Sequence, residues 1–456
     1  MIPGCLFITL LLSARSDTKD SIPQADTTEW SRDSPRIASV YSNAYVVLAA
    51  TGSEADDAGL SIFDKMRSIP IYSSFSYTTA TKDGSLTGMV HAFPASREHA
   101  TMSNPTDLLK HEPLSQRGWA LQERLLAKRI LHFCKAEMMW ECHCHFITET
   151  GYYSPCWEFS LPAPTPNTTE PTPFTPTVQL KAWSSILHRY PRLSLPHPSD
   201  KLPALSNIAA AFHTTYPDTY VAGFWRKSLL ESLMWQAIGS TTGVSGFRAP
   251  TWSWACMDGP FGIFVPGVGF DKGTWRAIGR IESCDIELED PQSPFGQVRS
   301  ASLKMSAPLV RLVPAEPPTN EPFPQKQKGV KIKVETSDSN GSYAFFDTPQ
   351  HAERARGKEL SALVLMGCEV DGGVGCGDDS CGTSRELFHC VIVARVEAKG
   401  EEGGDEDEKE EREERKKQLP MYERLGKIVF VTEDFDATSC PWLSGEYEHL
   451  ERFVFV

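Results

Sequence analysis

The sequence predicts an α/β N-terminal part, followed by a helical segment and then a β-rich C-terminal region. Three observations carry that prediction. Tyr45-Val46-Val47-Leu48-Ala49-Ala50 is a short, continuously apolar run of the kind buried on both faces of a parallel sheet, with helical patterns on either side. Leu202, Leu205, Ile208, Ala209 and Phe212 recur at helical spacing behind Asp200. Beyond Thr251 the chain turns to short strand-like runs at Val298–Met305, Ala362–Gly367, Cys390–Val396, Ile428–Val431 and Phe453–Val456.

In order, Thr27 to Tyr41 reads as a helix, with Trp30, Ile37 and Tyr41 at helical spacing and a kink at Pro35. Ser53 to Gly59 is an acidic loop, and Ser103 to Glu112 is a polar stretch broken by Pro105. A helix starts near Ser115 and runs to about Lys128. Arg129–Cys134 and Met138–Ile147 then form a hairpin about Lys135-Ala136-Glu137. Pro162 to Pro176, with six Pro and five Thr, is a linker. Asp200 caps the next helix, and a second helix carries Trp225, Leu229, Ser232 and Trp235. Thr251-Trp252-Ser253-Trp254-Ala255 reads as a strand. The charged run Gly400–Lys417 falls between two strands and reads as a solvated, disordered insertion.

Composition narrows the function classes. A chain of 456 residues, 40% hydrophobic with 11 Trp and 23 Phe, can bury a sizeable core over two or three domains. The net charge is −14, of which the ten acidic and five basic residues between Glu401 and Lys417 supply −5. No basic stripe exists to meet phosphates, which argues against nucleic-acid binding. Twelve scattered Cys without short regular spacings read as reduced, mostly buried thiols of a cytoplasmic protein. The apolar run Leu6–Leu12 resembles a signal-peptide core but has no positive residues before it, and it is too short to span a bilayer; no other segment is suited to one.

The stretch Arg117-Gly118-Trp119-Ala120-Leu121-Gln122-Glu123-Arg124 concentrates the candidate chemistry. On a helix Trp119, Gln122, Glu123 and Leu126 share one face, with Leu121 and Leu125 beside it. A carboxylate at the edge of a buried surface must be hydrogen-bonded or have a shifted pKa, and either suits catalysis. The plainer alternative is a Glu123 that pins a loop through Arg117 or a backbone amide. Cys142-His143-Cys144-His145 invites a metal reading. Strand alternation opposes it, placing Met138, Trp140, Cys142, Cys144 and Phe146 on one face and Glu141, His143 and His145 on the other, so core thiols are expected and no metal. Cys368, Cys376, Cys381 and Cys390 lack paired spacing. No GxxxxGK, GxGxxG or GxSxG motif is present.

Several blocks resemble the fungal heterokaryon-incompatibility (HET) family. Asp26–Trp30 with Val40-Tyr41-Ser42-Asn43-Ala44-Tyr45 and Ala49-Ala50-Thr51-Gly52 looks like its middle motif. Arg117-Gly118-Trp119 with Gln122-Glu123-Arg124 looks like its closing motif, and Leu131-His132-Phe133 followed by Trp140-Glu141-Cys142 is similar to its usual continuation. So are Ser199–Leu205, Ala222-Gly223-Phe224-Trp225 and Ala249–Ala255. The family's opening aromatic-Ser-Tyr-x-Trp-Gly and Trp-Ile-Asp-x-Leu-Cys blocks do not occur, so the resemblance implies a domain lacking its N-terminal half. It implies a truncated Toll/interleukin-1-receptor-like α/β remnant and the division 1–20 unmatched N-terminus, 21–150 partial HET domain, 151–180 Pro/Thr-rich linker, 181–260 helical segment and 261–456 β-rich region with a charged insertion at 400–418.

The function implied is non-self recognition and programmed cell-death signalling, as an effector or interaction protein that meets a protein partner or associates with itself. No cofactor is required on that reading. The resemblance also implies an alternative, an NAD-cleaving enzyme in which Glu123 is catalytic beside Gln122, Arg117 and Trp119, with NAD as substrate if the full domain is present. A second alternative is an inert truncated pseudogene product.

Overall fold

The structure, a computed structural model, describes residues 7–10, 38–54, 73–82, 84–92, 108–155, 175–266, 274–314, 330–335, 342–370, 385–396, 419–431, 443 and 450–456. The first part of the Thr27–Tyr41 helix, most of the Ser53–Gly59 loop, nearly all of the Pro162–Pro176 linker, Cys376, Cys381 and the Gly400–Lys417 run lie outside those residues. The chain divides into two compact units. The first is Met1–Thr165 with Leu193–His197 and Ala204–Thr215; the second is Pro166–Arg192, Pro198–Pro203 and Tyr216–Val456. The longer helices are α1 Gly118–Leu126, α2 Pro176–Arg189 and α3 Ser206–Thr215, with a shorter α4 at Pro349–Ala355.

The first unit is built on a six-stranded sheet of β1 Phe7–Leu10, β2 Val46–Ala49, β5 Arg129–Phe133, β6 Met138–Cys142, β7 His145–Thr148 and β8 Tyr153–Pro155, in that spatial order, and a separate two-stranded ribbon of β3 Ser73–Thr81 and β4 Gly84–Ala92. The apolar run at Val46–Ala49 is a strand parallel to β5, as its composition predicts; its other neighbour, β1, is antiparallel. Val47 and Ala49 point into a core shared with Tyr41, Leu114, Ala120 and Ile130, while Val46 and Leu48 are half-buried.

The expected helix from Ser115 to Lys128 is interrupted. A 3-10 turn at Leu114–Gln116 ends in an extended Arg117, and only then does α1 begin. Arg117 is extended because it bridges Ser194: Gly118 N donates to Ser194 O at 2.8 Å and Ser194 N donates to Gln116 O at 2.8 Å. The Arg129–Phe133/Met138–Cys142 hairpin forms as expected, but its second strand stops at Cys142. His143 and Cys144 make a turn into β7, so Cys144 and His143 are exposed and the expectation of buried thiols fails there. The buried face of β6 is Met139 and Glu141, the opposite phase from Met138, Trp140 and Cys142.

In the second unit six strands close on one another. With β9 Thr274–Ala277, β10 Arg280–Leu288, β11 Val298–Ala307, β12 Leu309–Pro314, β13 Val330–Val334, β14 Ser342–Phe346, β15 Leu360–Val370, β16 Arg385–Arg395, β17 Met421–Val431 and β18 Glu451–Phe455 defined, β15-β12-β13-β14-β17-β16 pair in a ring, since β16 joins both β15 and β17. The pairings of this barrel are antiparallel. Closure removes exposed edges and leaves an interior filled by Ala362, Val364, Phe388, Cys390, Ile392 and Phe430. β9 adds to β15, and β18, β11 and β10 extend the sheet from β17. All five strand-like runs named from the sequence beyond residue 297 overlap these strands, those ending at Val396 and Val456 passing the strand end by one residue.

Two expected elements of the second unit do not form. Phe224–Trp225 is a strand paired with Tyr220–Val221, not part of a helix; the helix is only Leu229–Ser232. The reason is the turn at Ala222 (φ 45°) and Gly223 (φ 97°), a left-handed pair that joins two strands and that a side chain at 223 could not occupy, because a Cβ there would lie 2.7 Å from the Trp254 indole nitrogen. Thr251–Ala255 is likewise no strand. Ser253 caps a 3-10 turn at Trp254–Cys256 by accepting from Ala255 N, and both Trp252 and Trp254 are buried. The five apolar residues from Leu202 to Phe212 are all buried as expected, but Pro203 breaks the amide ladder, so two 3-10 turns precede α3.

Those blocks interlock within the second unit. Ser253 Oγ donates to Ala222 O at 2.6 Å, Trp183 Nε1 donates to Gly223 O at 2.9 Å, and the Trp183 and Trp225 rings meet edge-on with centroids 5.4 Å apart. Lys201 and Arg248 both donate to Asp258, at 3.3 and 2.9 Å, while Arg248 also caps the Ala255 and Met257 carbonyls. Burial pushes the Lys201 ammonium below its ordinary pKa, and Asp258 only partly offsets this. No helix among the described residues is long and apolar enough to cross a membrane.

Candidate functional site

The closing segment places its two candidate polar residues inside the first unit. Gln122 is 1% and Glu123 8% exposed, while Trp119 and Arg117 are half-buried. Gln122 Oε1 accepts from Asn207 Nδ2 of α3 at 2.8 Å, and its Nε2 finds no hydrogen-bond partner among the described residues. Arg117 Nη2 donates to the Glu54 carbonyl at 3.1 Å, so it does pin a loop, through its own side chain. Gly118 is small because Leu195 covers it: a Cβ would lie 2.5 Å from Leu195 Cδ2. The four residues therefore sit on one short helix and its entry, but they face different neighbours.

The densest polar cluster lies one residue further along and was not legible as a site. Arg124, in the last turn of α1, grips Glu141 of β6 with both fork nitrogens, Nε to Oε2 at 2.7 Å and Nη2 to Oε1 at 2.9 Å. His132 Nε2 meets the same Oε2 at 2.9 Å, and His132 Nδ1 meets Thr51 Oγ1 at 2.9 Å. Burial pushes the Glu141 carboxyl up, but the Arg124 charge and the His132 hydrogen bond outweigh it and hold it well below the usual carboxylate range. Burial holds the His132 imidazole below its ordinary value against the pull of Glu141, so the ring is neutral at pH 7.

Proton positions follow. An ionised carboxylate only accepts, so Nε2 carries the ring proton and Nδ1 accepts from the Thr51 hydroxyl, in preference to the longer 3.3 Å contact with Ala49 O. Hydroxyl, imidazole and carboxylate in a hydrogen-bonded line have the order of a nucleophile, its base and an orienting acid. Two facts oppose reactivity there. Thr51 is 1% exposed, and the two amides that follow it are spent, Gly52 N on Phe133 O at 2.8 Å and Ser53 N on Ala50 O at 3.0 Å, so neither is free to serve an oxyanion. The line instead latches α1, β5, β6 and the turn after β2. Gly52 belongs to the latch, because a Cβ would stand 2.6 Å from Lys135 N and 2.9 Å from the Cys134 carbonyl carbon.

This latch has a pH signature. The folded-state pKa of His132 lies below its ordinary 6.5, so the unfolded chain takes up the proton first, and the stability His132 contributes is present above pH 6.5 and lost as pH falls below it. Glu141, also depressed, adds a loss of the same sign below its ordinary 4.5. Each group alone gives a slope of at most about 1.4 kcal/mol per pH unit. His389, held at about 3 by burial in the second unit, contributes in the same direction. Thermal melts taken from neutral pH downward should show a smaller drop for His132→Gln than for the wild type over the first window; equal drops would remove His132 as a contributor.

The signals that could have found the cluster are weak. His132 stands between Leu131 and Phe133, and Glu141 between Trp140 and Cys142, each polar residue in a run whose apolar neighbours claim the core. Asn207 follows Ser206 at a helix start and reads as a surface residue. Among the described residues no three His, Cys, Asp or Glu side chains gather as a metal site would need.

These features define an α/β domain whose closing helix is latched to its sheet through buried polar side chains. Residues 19–123 match the family model described as heterokaryon incompatibility protein (HET). The match ends at Glu123, the residue before the Arg124 latch. No curated protein and no solved structure matches the chain.

Proposed function

We propose that this protein acts in heterokaryon-incompatibility signalling, a fungal non-self response ending in cell death, as an effector that works in the cytoplasm through protein contacts. The HET match at residues 19–123 carries this reading. The burial of Gln122 and Glu123 in the packed closing helix favours a structural role for that motif over substrate contact. NAD cleavage of the Toll/interleukin-1-receptor-like kind, with Glu123 as the catalytic carboxylate, is the second reading. It draws on a carboxylate that folding holds 8% exposed without removing it from the helix surface.

Expression of the chain and of Glu123→Gln in a fungal host separates the two. The effector reading expects growth arrest or death from both chains with cellular NAD unchanged. NAD depletion abolished by Glu123→Gln would transfer the function to catalysis, and a stably folded chain that alters neither viability nor NAD would sink both readings.

A further inference from the structure

Cys142-His143-Cys144-His145 is a run of chemically active side chains that the packing of the first unit does not use. The register makes it a hairpin turn: Glu141 pairs with Phe146, so Cys142 and His145 flank a two-residue loop of His143 and Cys144. Cys144 is exposed and Cys142 half-buried at the end of β6. The chain bends at both loop residues. Two residues apart on a bent backbone, the Cα atoms of Cys142 and Cys144 lie roughly 5–6.5 Å from each other, inside the ~4.4–6.8 Å a disulfide spans. The two imidazoles have other partners. His145 Nδ1 and the Tyr153 hydroxyl are 2.8 Å apart, and His143 is hydrogen-bonded to the Ala127 backbone. With no three metal-ligating side chains gathered among the described residues, the chemistry left to the turn is that of two neighbouring thiols. The surface beside them is basic: Arg129 is the strand partner of Cys142, Lys128 precedes it, and both are exposed. The neighbouring carboxylate, Glu141, lies on the opposite, buried face of β6 and is held by Arg124 and His132.

We propose that Cys142 and Cys144 form a thiol–disulfide exchange site for an anionic low-molecular-weight disulfide of the glutathione kind. The exposed Cys144 thiolate attacks one sulfur of the small disulfide, breaking its S–S bond and releasing one thiolate, which takes up a proton. Cys142 then attacks the Cys144 sulfur of the mixed disulfide, expelling the second small thiol and closing the Cys142–Cys144 bond. Two protein thiols are oxidised and one small disulfide is reduced to two thiols, so atoms, protons and electrons balance. Lys128 and Arg129 favour the approach of the anionic reagent. The other described thiols are poorly placed for exchange. Cys134, Cys368 and Cys390 are buried, and burial pushes the Cys256 and Cys284 thiols up to about 12 and about 11, which keeps them protonated. An exposed disulfide that closes so short a loop removes little entropy from the unfolded chain and is readily reduced again, so the modification is reversible. The proposal stands on the turn alone and holds whether or not the chain signals cell death.

Peptide mapping of the reduced, folded full chain after exposure to glutathione disulfide tests it. Chymotrypsin cuts after Trp140 and Phe146, which isolates Glu141–Phe146 with these two thiols and no others. The wild-type peptide should lose two hydrogens, with two reduced glutathione molecules released for each bond formed. Cys142→Ser should stop at a stable glutathione adduct on Cys144, and Cys144→Ser should react about tenfold more slowly, its remaining thiol being half-buried. Returning the oxidised wild type to reduced glutathione should restore both thiols. A wild-type peptide that stays reduced, one that carries glutathione without closing the bond, or a bond that forms only after urea unfolds the chain would each overturn the proposal. So would Cys144→Ser reacting as fast as Cys142→Ser.

Discussion

Arg124→Ala should lower the stability of the first unit by about 3–5 kcal/mol, because it leaves a buried carboxylate with one neutral partner where it had a bidentate cation. The Arg124 and Glu141 side chains are each 10% exposed, and their two hydrogen bonds are 2.7 and 2.9 Å long. The residual Glu141 would then respond chiefly to burial, so its carboxyl should shift upward, and the cost of the substitution should be largest near neutral pH and shrink as acidification protonates the stranded carboxylate. Replacing both residues, Arg124→Met with Glu141→Leu, should recover much of the loss, since an apolar pair of similar volume leaves no charge stranded. Chemical denaturation of the three variants reads this directly. A loss below about 1 kcal/mol for Arg124→Ala would place the pair with ordinary surface salt bridges. The variant also serves the functional test: Arg124→Ala should weaken signalling by destabilising the domain, whereas Glu123→Gln leaves the hydrogen bonds of Arg124, Glu141 and His132 in place.

Arg424→Ala should be at least as damaging to the second unit, about 3–5 kcal/mol. Arg424 on β17 is fully buried and donates through Nε to Asp347 Oδ2 at 2.6 Å, through Nη1 to Leu233 O at 2.6 Å and through Nη2 to Trp235 O at 2.6 Å. Its guanidinium lies 3.7 Å from the Trp235 ring centroid, a stacked cation that also fills volume. Asp347 is equally buried, and its carbonyl accepts from Thr241 Oγ1 at 2.5 Å. One residue therefore ties the barrel to the Leu233–Trp235 segment and to the start of α4. Arg424→Lys should recover little, because a single ammonium cannot serve a carboxylate and two carbonyls in the geometry a planar fork satisfies. If Lys restored wild-type stability, the fork would not be the source of the effect.

Neither latch could be read from residue order, and the reason is the same in both. A strand pattern is phased by its apolar residues, and around Glu141 that rule selects Met138, Trp140 and Cys142 for the core. The buried side is Met139 and Glu141 instead, because a carboxylate gripped by Arg124 and His132 no longer carries the cost of an unpaired buried charge. Its partners are 17 and 9 residues away, and nothing local links them. The helix expected at Trp225 and the strand expected at Thr251 failed for a related reason. Ala222-Gly223 and Ser253 impose turns whose geometry is set by Trp254 and by a capping hydroxyl, and both override the spacing of the Trp residues.

Local composition and pattern were enough to establish the α/β start around β2, the buried face of α3, the β-rich C-terminal region and the likeness to the heterokaryon-incompatibility family that its model matches over residues 19–123, because hydrophobic period and family motif are properties of neighbouring residues. Tertiary structure alone decided that Gln122 and Glu123 are buried, that Arg124, His132, Glu141 and Thr51 form one hydrogen-bonded line, and that six of the C-terminal strands close into a barrel. Each of those depends on groups far apart in the chain satisfying one another out of water, an outcome that exists only once the chain has folded.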